Sequence, residues 1–141
     1  MSLLILRRFV VVALGAFALA AMGARAQSNM NVTPVETALL PQFCWAQLDV
    51  PNATGGDFTI QGCGPAANHY CPALIYIVRA KHTSNKQTRL GLLGHADVDV
   101  RYTERAIADY PNCSIREHVA STRAALNNLM TMYGFKRPRA Q

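Results

Sequence analysis

Four cysteines lying beyond an export-type leader constrain this chain more than any other feature. Residues 1–26 have the build of a cleavable secretory signal: Arg7 and Arg8 make a positive start, Phe9–Met22 is an apolar or glycine run of 14 residues, and Ala24-Arg25-Ala26 supplies a small-x-small cleavage site. That run is short of the roughly 20 residues a membrane span requires, so cleavage after Ala26 is expected rather than a retained anchor. Leu6 stands where twin-arginine export wants a polar residue, and no cysteine follows the run to take a lipid anchor. The alanine-rich leader reads as bacterial, so the expected location is periplasmic or secreted. Cys44, Cys63, Cys71 and Cys113 then form an even set in an exported chain, and disulfides are the expected chemistry.

Without the leader, 115 of the 141 residues remain, enough for one small domain. The formal net charge of +6 also shrinks: Arg7, Arg8 and Arg25 depart, and 11 basic residues face 8 acidic ones. Three of those 11 lie at the extreme end, as Lys136, Arg137 and Arg139. The body is near neutral, so no nucleic-acid partner is expected. Membrane contact is expected only through the uncleaved leader or weakly through a basic, disordered tail at 135–141.

Residues 27–65 form a loop-rich segment, interrupted by Pro34, Pro41, Pro51, Gly55, Gly56, Gly62, Gly64 and Pro65. One helix start stands out. Thr33-Pro34-Val35-Glu36 offers a capping threonine, a proline at the first helical position and a glutamate three after the cap, which predicts a short helix to about Leu40. Pro41–Leu48 is a turn-rich segment, and Phe58–Gln61 is too short to assign as a strand.

Residues 66–134 read as three helices. The first spans about Ala66–His82, with Leu74, Ile77, Val78 and Lys81 at helical spacing and a possible true start at Pro72. The second spans about Gln87–Tyr110, with Leu93, Ala96, Val100, Ile107 and Tyr110 on one stripe, and Pro111 ends it. The third starts at a capping box, Ser114-Ile115-Arg116-Glu117, and ends at Gly134. Its apolar face is Ile115, Val119, Thr122, Leu126, Leu129, Met130 and Tyr133. Short connections make the helices fold back antiparallel. The expected fold is mainly α: an antiparallel three-helix core with a loop-rich, disulfide-stapled N-terminal half.

The stretch from Ala96 through Tyr110-Pro111, with Ala106 five residues before the closing proline, resembles the second helix of a tetratricopeptide repeat. Cys63-Gly64 to Asn68-His69-Tyr70-Cys71-Pro72, followed by this helix, is similar to small exported proteobacterial repeat-like proteins. The resemblance covers about Cys63–Tyr133. The chain has no second copy at a 34-residue period and lacks the tryptophan and glycine of a repeat's first helix. What the resemblance implies is a helical hairpin that offers a groove to a partner, with no catalytic residues.

Chemistry could still reside in the cysteines and histidines. Four cysteines allow three pairings. Cys44–Cys63 with Cys71–Cys113 is the preferred set, although the second helix looks too long for Cys113 to reach Cys71 without a bend near Gly91 or Gly94. His69, Cys63 and Cys71 could ligate a metal with His95 or His118, and Cys113 with His118 could form an activated thiolate. No Cys-x-x-Cys, glycine-rich phosphate loop, serine-hydrolase elbow or His-Glu-x-x-His occurs. No cofactor and no catalytic residue is therefore nominated. Asp97 with Arg101 and Arg105 with Asp109 are spaced as solvated i,i+4 ion pairs. The sequence thus favours a non-catalytic adaptor that binds a protein or peptide, with Tyr70, Tyr76, Tyr102 and Tyr133 as the candidate partner surface. The alternative is a small metal- or ligand-binding domain or thiol-dependent enzyme using His69 and the cysteines.

Overall fold

A computed structural model describes residues 30–137, so the leader at 1–26 and Arg139 lie outside the described residues. Helices α1 (Pro34–Ala38), α2 (Tyr70–His82), α3 (Lys86–Ala106) and α4 (Arg116–Tyr133) are joined by turns and one-turn 3-10 segments, with no strand among the described residues.

The capping box at α1 forms as the sequence implies. Glu36 N–H donates to Thr33 Oγ1 at 3.2 Å, and Thr33 N–H donates to Glu36 Oε2 at 2.8 Å. The loop segment continues through 3-10 turns at Gln42–Cys44, Ala46–Leu48 and Gly56–Phe58, with Trp45 stacked on Phe58 at 5.8 Å.

The sequence places the start of the first long helix at Ala66 or Pro72; it begins at Tyr70, after a 3-10 stretch at Pro65–His69. Pro72 is then in the first turn, where its missing N–H costs no helical bond. Its buried residues fall on two faces rather than on the Leu74-Ile77-Val78-Lys81 stripe. Tyr70, Ala73, Ile77 and Ala80 belong to the main core, while Cys71 is bonded to Cys44 on the side of the loop segment. Leu74 and Val78 are half-buried and Lys81 is exposed.

Helix α3 starts at an asparagine cap, Asn85 Oδ1 accepting from Thr88 N–H at 2.9 Å, and runs antiparallel to α2. Leu93, Ala96 and Val100 are fully buried against α2 and α4, and Ile107 just past the helix is nearly so, but Tyr110 is 39% exposed. Arg89 bridges the α2–α3 turn, donating from Nε to Ala80 O at 3.1 Å and from Nη2 to Thr83 O, and its guanidinium lies over the Tyr133 ring. Helix α4 returns along α3 and buries Val119, Leu126 and Met130, and Ile115 is buried at its cap. Gly134 ends it at φ +70°, the left-handed cap expected for it.

The capping box predicted at Ser114–Glu117 does not form; Ile115 is the cap and provides no side-chain bond. Ser114 is engaged elsewhere. Its Oγ accepts from Gln61 N–H and its own N–H donates to Gln61 O, both at 3.0 Å. This double bond between distant segments sits beside the Cys63–Cys113 disulfide. The approach demands glycine: a Cβ on Gly62, at φ +66°, would lie 2.9 Å from Asn112 O, and one on Gly64, at φ +71°, would run into the Tyr110 ring.

The disulfides are Cys44–Cys71 and Cys63–Cys113, not the set preferred from sequence. Helix length gives the reason. With 21 residues against 13, α3 outruns α2, so Cys113 arrives beyond the start of α2, where Cys63 lies. No bend at Gly91 or Gly94 is required, since α3 is helical through both.

Chain-entropy arguments assign roughly 3.5 kcal/mol to the first link and about 4 kcal/mol to the second. Replacing both Cys63 and Cys113 by serine should lower the unfolding free energy measured in urea by about 4 kcal/mol. Non-reducing mass spectrometry of fragments cut after Tyr70 should show Cys44 joined to the piece that begins at Cys71; finding Cys44 joined to Cys63 would contradict the fold.

Candidate functional site

Three features carry the molecule's polar chemistry and open surface. One is a groove of about 620 Å³ between α1, the end of α2 and the start of α3. Its apolar lining comes from Val35, Leu39, Val78 and Leu92, and Thr33, Thr83, Thr88 and His82 also line it. Val35 is 72% and Leu39 54% exposed, and α1 buries none of its residues. An ion pair ties α1 to α2. Arg79 donates from Nε to Glu36 Oε1 at 2.6 Å and from Nη2 to Asn31 O at 2.7 Å. The Arg79 guanidinium, aided by the capping bonds from Thr33, overcomes the cost of burial and holds the Glu36 carboxyl at about 2.

The second feature is a buried carboxylate. Asp97, read from sequence as half of a solvated pair, is 2% exposed. The expected i,i+4 partner is present, Arg101 Nη2 lying 3.1 Å from Oδ2. Two further arginines arrive from far along the chain. Arg123 Nη1 donates to Oδ1 at 2.7 Å, and Arg137 donates from Nη2 at 2.9 Å and Nε at 3.2 Å. Arg123 also clamps Glu104, with Nη2 at 2.8 Å from Oε2. Burial pushes the Asp97 carboxyl up, but Arg137, Arg101 and Arg123 together hold it below the usual carboxylate value. The start of the tail is therefore anchored, not disordered as expected: Phe135 packs against the core and Arg137 reaches Asp97.

The third feature is a pair of histidine–tyrosine contacts across α2 and α3. His69 Nδ1 lies 3.3 Å from Asp99 Oδ1, with its ring 4.5 Å from that of Tyr102, and Tyr76 stacks on His95 at 5.2 Å.

Of the four tyrosines nominated as a partner surface, Tyr70 is not on the surface. Tyr70 is 1% exposed, its hydroxyl 2.6 Å from Thr122 Oγ1, and burial pushes its phenol above the usual value. Tyr76 is half-buried against His95, Tyr133 is half-buried under Arg89, and Tyr102 is the most open of the four at 42%. The metal and thiolate readings lose their ligands. All four cysteines are in disulfides, no group of three or more His, Cys, Asp or Glu among the described residues could hold a metal, and His118 packs edge-on against Phe43 rather than facing a thiol.

Sequence reasoning missed the groove; the signal was the brevity of α1, five residues that cannot reach far into a core. Comparison with protein-family models, curated proteins and solved structures finds no match to this chain. The two disulfides fit an oxidising compartment, and no helix among the described residues is long and apolar enough to cross a membrane.

Two measurements check these electrostatics. Arg123→Ala should cost about 3 kcal/mol in urea unfolding, because it strips a buried carboxylate of a partner that is itself mostly buried. Arg101→Ala, at a side chain 45% exposed, should cost under about 1 kcal/mol. Glu36 titrates at about 2 when folded, so its contribution is fully present above about 4.5 and is lost as pH falls toward 2. Glu36→Gln should therefore flatten the loss of stability between those two values, and an unchanged pH profile would exclude the Arg79–Glu36 bond as a source of stability.

Proposed function

We propose that this protein is a non-catalytic helical binding module, exported by its leader to the periplasm or outside, that takes a peptide segment of a protein partner in the groove beside α1. The exposed apolar wall of that groove supports the reading most directly. A five-residue helix leaves Val35 and Leu39 uncovered although an apolar floor of Val78 and Leu92 lies opposite. Open apolar surface edged by polar groups is the usual mark of a protein-binding site, and a short helix-lined groove suits an extended or helical peptide. The tetratricopeptide-like hairpin inferred from sequence has the same consequence, a groove offered by paired helices.

Charge narrows the partner. Arg79 and His82 line the groove, and the same turns at the end of α2 and the start of α3 also carry Lys81 and Lys86. Glu36, the acid among the lining residues, is engaged by Arg79. The occupant that complements this rim is a segment with two or three apolar side chains and at least one carboxylate.

A displayed random-peptide library tests the assignment. Selection on the oxidised protein should enrich apolar peptides that contain Asp or Glu, and Leu39→Glu should weaken them about tenfold or more, as expected for a charge placed in an apolar contact. Equal enrichment on the variant, or no enriched class, would refute it. A dimer that Leu39→Glu dissolves would assign the groove to a second copy and overturn the peptide reading.

A further inference from the structure

The segment Phe135–Arg137 behaves as a ligand bound in cis. After the left-handed turn at Gly134, Phe135 N–H donates to Met130 O at 2.8 Å, and residues 135–137 turn back onto α3, where Phe135 meets Gly94 and Arg137 meets Asp97. Phe135 lays its ring against Gly94, where an added Cβ would come within 3.3 Å of it. Two residues on, Arg137 donates from Nε and Nη2 to the Asp97 carboxylate and from Nη2 to Asn127 Oδ1 at 2.6 Å. A ring at a side-chain-free notch and a guanidinium on a carboxylate and an amide oxygen are the contacts of a recognised peptide.

Nothing in these contacts depends on Arg137 being covalently attached. Asp97 retains Arg101 and Arg123 if the segment leaves, so the receiving surface is not left with an isolated buried charge, which would be ruinous. The side chain of Arg137 is 44% exposed, against 16% for that of Arg123. The segment therefore lies on the surface and can exchange, whereas Arg123 belongs to the helix pair. Its hinge is a single glycine with open space around it.

We propose that Gly94, Asp97 and Asn127 form a receptor site for a peptide segment with an aromatic residue two before an arginine, and that Phe135-Lys136-Arg137 occupies and masks it in cis. The site is separate from the groove beside α1, so its fate does not depend on the assignment made there. Intramolecular occupancy competes at an effective concentration on the millimolar scale. An external segment gains access when it binds better or when the cis segment is disabled.

The test uses the whole oxidised chain carrying Phe135→Ala and Arg137→Ala, and the peptide acetyl-Gly-Phe-Lys-Arg-amide followed by calorimetry. The double variant should bind it saturably, and the unmodified chain about tenfold more weakly or worse, because its own segment competes. The same peptide with citrulline for arginine, similar in shape but uncharged, should not bind. A double variant with native helix content that ignores the peptide, or that takes the citrulline form equally well, overturns the proposal. Should the double variant fail to fold, Phe135→Trp in the otherwise intact chain gives the answer. Excess peptide should red-shift the added indole as the segment is expelled, and emission that stays unchanged at the highest soluble peptide concentration overturns it.

Discussion

Helix length is the constraint on which the architecture rests. Helix α3 is eight residues longer than the α2 it packs against, 21 against 13, which at 1.5 Å per residue leaves about 12 Å of helix with no partner on that side. The 3-10 stretch Pro65–His69 and the loop before it cover this overhang. Cys63–Cys113 and the paired bonds between Gln61 and Ser114 fix the loop in place. Two glycines admit it, Gly62 against Asn112 and Gly64 against Tyr110. Beyond the end of α3, Arg116 donates from Nη2 to Ile107 O and Tyr110 O, both at 2.7 Å, adding a second bond to two carbonyls that already accept the turn N–H groups of Tyr110 and Cys113.

Charge supplies a second organising centre. Asp97 ties three parts of the chain together: its own helix through Arg101, α4 through Arg123 and the end of the chain through Arg137. A carboxylate so placed gives little net stability over an apolar residue of similar size, but it fixes the register of α4 on α3, since sliding either helix by a turn would strand it. Glu36 and Arg79 do the corresponding job for α1. That bond leaves the helix's apolar side chains free, which is why an open groove exists beside it.

Local signals in the sequence were reliable where the structure satisfies them locally. The Thr33–Glu36 box and the Gly134 cap need only neighbours within a turn or two and appear as read; the apolar stripe of α3 appears in part, through Leu93, Ala96 and Val100, while Tyr110 lies past the end of the helix and is exposed. Ser114–Glu117 has the same pattern as Thr33–Glu36 and fails, because a residue 53 positions away takes the serine oxygen. Asp97 and Arg101 were legible as a pair; that the carboxylate is buried depends on Arg123 and Arg137, 26 and 40 residues distant. Tyr70 reads as a surface aromatic until Thr122 closes over it. The cysteine pairing was illegible for the same reason: it follows from where helices of unequal length end. The tension noted for Cys71–Cys113 was nonetheless the right physical objection, since it is the reason that bond does not form.

The two disulfides interleave, the first cysteine with the third and the second with the fourth. Consecutive pairing would have left the stretch between Cys63 and Cys71 as an open bridge between two separate rings, and one cut there would divide the chain. Interleaved pairing has no such weak point. A single peptide bond broken anywhere from Cys44 to Cys113 leaves every fragment covalently tethered to the rest, so a nicked molecule keeps its helices together and can close again around the cut.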